Sequence, residues 1–229
     1  MVVRFLLPSL LAILLAACAT PPPGPSLADK TPADTPAIAG VPPAPTADPR
    51  AALIDAVLHG DRIFRLSGER DIQHIQSGML CSLPAEGDAS RLIYLHVFPG
   101  APPGDDIACD YAFYGGKLTL YATRNNGHTA KAVVADTSRF IEDHYPGARR
   151  VHARIPAGDG VPAIEGAAYD IAMNGRPART KVLVALHGGW IIKIRASFPA
   201  DQDQAVRDQA VAADLASSLW LVPVLLALP

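Results

Sequence analysis

Apolar and polar residues alternate along the chain in a pattern that predicts three helices and two groups of strands. Asp48 can cap the first helix, Pro49 suits its first position, and Gly60 suits its end. Apolar residues recur at helical spacing over 129–145 and again over about 201–219, which predicts the other two helices. Strand-type runs between turn residues predict strands at 62–66, 91–98, 107–114, 117–123, 150–155, 167–173, 179–187 and 190–198.

The last two predicted strands are joined by Gly188 and Gly189, which are typical of a two-residue hairpin turn. This turn sets a register with the cross-strand pairs Val184–Lys193 and Val182–Arg195 on one face, and Ala185–Ile192 and Leu183–Ile194 on the other. Because the second face is wholly apolar, we expect it to be buried.

The order of elements is helix, β-meander, helix, β-meander, helix. Links of hairpin length imply an antiparallel sheet, and the helices must pack on it, so the predicted class is α+β. Over roughly residues 60–220 this order resembles the Mog1/PsbP-type α/β/α sandwich, although no sequence motif supports the likeness. That resemblance implies a binding function rather than catalysis.

The first twenty residues have the pattern of a secretory signal peptide. Arg4 is followed by an apolar stretch that is too short to span a bilayer comfortably, and small residues come next. The sequence Leu15-Ala16-Ala17-Cys18 resembles the lipobox of bacterial lipoproteins. Residues 1–17 are therefore interpreted as the signal peptide; the alternative is an uncleaved membrane anchor.

The lipobox resemblance implies a covalent lipid on Cys18 and no other cofactor. In that family the cysteine sulfur receives diacylglycerol, cleavage precedes the cysteine, and the freed amine receives an acyl chain such as palmitate. Two or more acyl chains make a stable membrane anchor. Residue 19 is alanine and not the aspartate that favours inner-membrane retention, so we expect the periplasmic face of the outer membrane.

Residues 18–48 are predicted to be a disordered tether, and residues 49–229 a single domain. Ten prolines fall within residues 19–50 without any apolar periodicity, which favours extended, unpacked conformations. Fully extended at roughly 3.1 Å per residue, the tether would reach on the order of 100 Å.

At the C-terminal end of the chain, residues 219–229 are almost wholly apolar. We expect them to dock on the core; the alternative is a free tail that binds a partner or the membrane.

Composition excludes one class of function and leaves others open. The chain is 49% hydrophobic with a formal net charge of −2. A general nucleic-acid binder carries a strong basic excess, so no nucleic-acid partner is expected. The high apolar content is typical of a folded domain.

Cys81 and Cys109 are predicted to form a disulfide bond. Cysteines in an exported protein pair by default, and these two remain once Cys18 is assigned to lipid. A redox-active pair would more plausibly be a CxxC motif, which the sequence lacks.

No catalytic residue and no metal site is assigned from the sequence. It contains no HExxH, GxSxG, P-loop, GxGxxG or SxxK motif. Two alternatives remain open: a hydrolase whose active site is assembled from distant residues, and a small-ligand carrier with a cleft lined by Tyr94, Tyr111, Tyr114 and Tyr121. Calcium at Asp105, Asp106 and Asp110 is a further alternative to a solvated acidic loop.

Basic residues alternate along two of the predicted strands. Arg150, His152 and Arg154 share one strand face, and Lys193 and Arg195 share another. If the two strands are neighbours, these side chains would form an anion-binding strip; the alternative is a solvated sheet face. We therefore expect a non-catalytic domain that binds an envelope protein, an anionic lipid or a wall polymer.

Overall fold

The structure is a computed structural model that describes residues 48–228. In this part of the chain it has four helices and ten strands, and every strand pairing is antiparallel. The predicted α+β class is therefore confirmed. The signal peptide, the lipobox and the tether up to residue 47 lie outside the described residues, so they stay predictions.

The helices are α1 (Pro49–Asp55), α2 (Gly60–Ile63), α3 (Ala130–His144) and α4 (Gln204–Leu226). The strands are β1 (Phe64–Ser67), β2 (Asp71–His74), β3 (Leu80–Ser82), β4 (Ser90–Val97), β5 (Asp106–Phe113), β6 (Gly116–Arg124), β7 (Arg149–Val151), β8 (Ile164–Met173), β9 (Arg176–His187) and β10 (Trp190–Pro199). Of these, β2 and β3 were not predicted, and β7 is shorter than the predicted strand 150–155.

The ten strands form two sheets. The larger has seven strands in the order β4-β5-β6-β10-β9-β8-β7, and the smaller has three in the order β1-β2-β3. Within the larger sheet, two local meanders meet along the β6–β10 pairing, the seam of the sheet. The hairpin register predicted from Gly188 and Gly189 is confirmed, with Val184 opposite Lys193 and Ala185 opposite Ile192.

Helices cover both faces of the larger sheet. On one face, α3 packs against β8 and β9 and buries Val134 and Ile141. On the other face, α4 packs against β9 and β10. There Ala185 and Ile192 are fully buried, as the predicted register requires. The smaller sheet contributes Ile72 and Cys81 to the same core.

The disulfide bond between Cys81 and Cys109 is present, as predicted. It joins β3 of the small sheet to β5 of the large sheet, and both cysteines are fully buried. The bond spans 28 positions of the chain. Such a loop contributes roughly 3–4 kcal/mol to stability in the chain-entropy account. The disulfide therefore ties together the two sheets that share one core.

The first helix is shorter than predicted. Asp48 caps it as expected, accepting a hydrogen bond from the backbone N–H of Arg50, but it ends at Asp55. Gly60 does not end this helix; it begins the short helix α2 instead. A Cβ atom at Gly60 would collide with the carbonyl oxygen of Ile54, so the close approach of the two segments explains the glycine.

The last helix differs from the prediction at both ends. Asp203 rather than Asp201 caps it, and it continues past Pro223 to Leu226 instead of ending near 219. The extra turns form because Leu221 and Leu225 are buried in the core, which offsets the loss of a helical hydrogen bond at the proline. The apolar end of the chain is thus docked, as expected, through residue 228.

In length and composition, α4 is the one helix in the described part of the chain that could cross a membrane. The core helix of a folded domain passes the same test. One side of α4 packs on the sheet and buries Ala213, Leu221 and Leu225, whereas Val211, Leu215 and Leu219 on its other side are exposed.

A buried ion pair links α4 to β9. The Nζ atom of Lys181 lies 2.7 Å from Asp214 Oδ1 and also donates to the Ser218 hydroxyl at 2.7 Å. The Lys181 side chain is fully buried, and burial lowers its pKa although Asp214 acts in the opposite direction. Arg154 approaches the other carboxylate oxygen of Asp214 at 3.5 Å. All of these groups serve the packing of α4 on the sheet.

Candidate functional site on the open half of the sheet

The large sheet is only partly covered on the side of α3. That helix packs over β8 and β9, while side chains of β4, β5, β6 and β10 on the same side stay partly open to solvent. We call this region the open face. It is formed by Tyr94, His96, Phe98, Asp110, Lys117, Thr119, Tyr121, Lys193 and Arg195.

Asp110 is the central polar group of the open face. Its Oδ2 atom lies 2.7 Å from Nε2 of His96 and 2.7 Å from Nζ of Lys117, and its Oδ1 atom accepts a hydrogen bond from Thr119 at 2.6 Å. Burial would raise the pKa of Asp110, but the hydrogen bonds from its three donors outweigh burial and lower it. Asp110 is therefore ionised and holds the two neighbouring basic side chains in place.

Aromatic rings form a row across the open face. The rings of His96 and Phe98 are stacked 6.0 Å apart, and those of Phe98 and Tyr121 are stacked 6.3 Å apart. Tyr94 extends the row beyond His96 and is 61% exposed. Such rings offer flat apolar surfaces next to polar groups, which is typical of ligand-binding surfaces.

Cations accompany this row of rings. The Lys193 ammonium lies 4.2 Å above the Tyr121 ring, and the Arg195 guanidinium lies 5.4 Å from the ring of Phe140 on α3. Both contacts are cation–π interactions, which hold the charge close to an apolar surface. Burial lowers the pKa of Lys193, an effect that Asp106 opposes. With Lys117, the open face presents three basic side chains along β6 and β10.

The structure brings together only part of the predicted basic strip. Lys193 and Arg195 lie on the open face, but β8 and β9 separate β10 from β7, which carries Arg150. His152 is exposed after the end of β7, and Arg154 is drawn towards Asp214 of α4. The two halves therefore do not form one strip, because β8 and β9 lie between the two strands that carry them.

The tyrosines predicted as cleft residues also separate. Tyr94 and Tyr121 line the open face, whereas Tyr111 is fully buried in the core against Trp220, and Tyr114 occupies the turn after β5.

The aspartates considered for calcium bind other side chains of the protein. Asp105 pairs with Arg124 and Asp106 accepts a hydrogen bond from Thr123, and no group of potential metal ligands occurs among residues 48–228.

One histidine lies against a serine, as a hydrolase would require, but away from solvent. The Nδ1 atom of His74 is 2.7 Å from the Ser77 hydroxyl. His74 is fully buried and Ser77 is 5% exposed, so a substrate has no access to this pair. Burial lowers the pKa of His74 to about 4, so the ring is neutral at physiological pH. The pair thus belongs to the core.

No model of a known protein family and no curated protein matches the sequence. Among solved structures, the chain is similar to LpqN, described as involved in cell envelope biogenesis of Mycobacterium tuberculosis. The identity is 14%, the TM-score is 0.35, and the match covers 58% of this chain and 78% of LpqN. A similarity of this size does not establish a shared function, and the resemblance to the Mog1/PsbP type stays a prediction.

Sequence reasoning missed His96, Phe98, Asp110 and Lys117 as members of one surface. Alternation along two predicted strands does place His96 with Phe98 and Lys117 with Tyr121 on common faces. What it does not reveal is that β10 pairs with β6, which is needed to put Lys193 beside Tyr121. The open face thus depends on a long-range strand pairing without a local signal.

Proposed function

We propose that the chain is a lipid-anchored protein of the periplasmic face of the outer membrane whose domain binds an acidic wall polymer through the open face. The signal peptide and the lipobox at Cys18 support the location. The predicted proline-rich tether supports a domain that works at a distance from the membrane, since a fully extended tether would reach on the order of 100 Å.

The observation that carries the binding proposal is the combination of ring faces and cations on one partly open sheet surface. Sugar rings present apolar C–H faces that fit against Phe98 and Tyr121. Carboxylates on the same polymer fit Lys117, Lys193 and Arg195, which lie within one neighbourhood of β6 and β10. A shallow surface of this kind suits an extended polymer better than a small enclosed ligand.

The lipid anchor is tested by the variant Cys18→Ala. We expect the wild-type protein to incorporate a fatty-acid analogue in growing cells, and we expect the variant to lose this label completely, because the acylated sulfur is gone. In-gel detection of the label measures the effect. The matched control is the double variant Cys81→Ala/Cys109→Ala, which removes the other cysteines and should keep the label. A labelled Cys18→Ala protein would refute the anchor.

Reversing two charges on the open face should weaken polymer binding. The double variant Lys193→Glu/Arg195→Glu is expected to bind purified wall sacculi roughly tenfold or more weakly, because two attractive contacts become repulsive. Co-sedimentation at low and high salt measures this. Wild-type binding should also fall as salt screens the charges.

The control for this experiment is Arg62→Glu/Arg176→Glu, which makes the same change in charge at two exposed positions away from the open face. It should bind sacculi like the wild type. Equal loss in both double variants would mean a non-specific charge effect and would contradict the proposal. Binding to anionic phospholipid vesicles but not to sacculi would instead identify a membrane surface as the ligand.

A further inference from the structure

A polar cavity lies on the opposite side of α3 from the open face. It has a volume of about 350 Å³ and lies between α3 and the strands β7 and β8. Its lining includes Lys131, Ser138 and Glu142 from the helix, and Arg150 and Glu165 from the strands. The volume is within the range of cavities that hold small ligands.

The floor of this cavity contains an unsatisfied polar group. The Ser138 hydroxyl is buried and has no hydrogen-bond partner among the described residues. A buried hydroxyl without a partner costs on the order of 1–3 kcal/mol, so native proteins normally supply one. A ligand atom that donates to or accepts from Ser138 would supply it here.

Charges of both signs surround the floor, and most have no protein partner. The side chains of Lys131, Arg150 and Glu165 are exposed and make no hydrogen bond or ion pair with any residue in the described part of the chain. Glu142 accepts a single hydrogen bond, from the Tyr169 hydroxyl at 3.0 Å. Opposite charges that converge on a cavity without neutralising each other are complementary to a ligand that carries both signs.

The fold arranges these charges at two ends. Arg150 pairs with Tyr169 across β7 and β8, so it lies at the same end as Glu142. Glu165 precedes Tyr169 by four residues, roughly 13 Å along the strand, and Lys131 precedes Glu142 by eleven residues, roughly 16 Å along the helix. Each end of the cavity therefore has one cation and one anion.

From this arrangement we infer a binding site for a short zwitterionic peptide, with free amino and carboxyl groups. Its carboxylate would bind Arg150 at one end, its ammonium group would bind Glu165 at the other end, and its central amide would satisfy Ser138. This site is separate from the open face and does not rest on the polymer proposal.

The test is a titration of the full domain with alanyl-alanine, followed by backbone amide shifts in nuclear magnetic resonance spectra. We expect saturable shifts at Ser138 and Gly166, which line the cavity. The same dipeptide acetylated at its amine, or amidated at its carboxyl group, should bind at least tenfold more weakly, because each change removes one charge. Absence of saturation up to about 10 mM would overturn the site.

Two variants keep the test independent of folding. Arg150→Gln/Glu165→Gln changes exposed side chains, so the spectrum should remain that of the folded protein while binding falls at least tenfold. The matched control Arg62→Gln/Glu69→Gln, at exposed positions remote from the cavity, should bind like the wild type. Unchanged binding in the cavity variant, or equal shifts with the doubly blocked dipeptide, would refute the inference.

Discussion

Replacing Asp214 by alanine should lower the free energy of unfolding by about 3–5 kcal/mol, because the change leaves a buried charge without its partner. Lys181 is fully buried, and its Nζ atom lies 2.7 Å from the Asp214 carboxylate. Burial already lowers the pKa of Lys181, so losing the carboxylate would disfavour the charged ammonium further. Urea denaturation followed by circular dichroism measures the loss.

Two controls separate the ion pair from other effects in α4. Asp208→Ala removes an exposed carboxylate of the same helix and should change stability by about 0.5 kcal/mol or less. The double variant Lys181→Met/Asp214→Leu removes both charges and should recover most of the loss, since apolar pairs often replace buried ion pairs without cost. A loss below about 1 kcal/mol in Asp214→Ala would show that water reaches the lysine.

Acidification from pH 6.5 to pH 4 should cost the wild-type protein about 3 kcal/mol more stability than it costs the variant His74→Gln. Burial lowers the pKa of His74 from 6.5 to about 4 in the folded protein. Between pH 6.5 and pH 4, His74 is largely protonated in the unfolded chain but largely neutral in the folded protein. The stability due to neutral His74 is therefore complete above pH 6.5 and is lost progressively as the pH falls to 4.

The comparison is made by urea titrations at several pH values. Glutamine cannot titrate but can still hydrogen-bond Ser77, so the variant should show a flatter dependence on pH whatever its absolute stability. His128→Gln changes an exposed histidine and should keep the wild-type slope. If wild type and His74→Gln respond equally to acid, His74 is not the group responsible.

The features that the sequence predicted well are local ones. The turn at Gly188 and Gly189 determines a register within a few residues, and the cap at Asp48 satisfies the first turn of its own helix. The predicted end of α4 was wrong because burial of Leu225 in the core outweighs the destabilising effect of Pro223 on the helix. No strand was predicted at β2 and β3, which are four and three residues long.

The candidate site was not predicted because it depends on the pairing of β6 with β10, two strands that are neighbours in the sheet but far apart in the chain. Lys193 and Arg195 were recognised from alternation within one strand. Their presumed companion Arg150 lies three strands away, and their actual companions are Lys117 and Tyr121 of β6. Local pattern shows which face a side chain occupies within its strand, but only the strand order shows which faces join.

The seam between β6 and β10 makes the open face a product of complete folding. Each meander can form from short-range pairings, but their junction must close a long loop and is therefore expected to form late. Lys117 belongs to one meander and Arg195 to the other, so neither meander alone contains the complete open face. A polymer that contacts both meanders would stabilise the β6–β10 pairing against separation. Only the fully assembled sheet would be able to bind such a polymer.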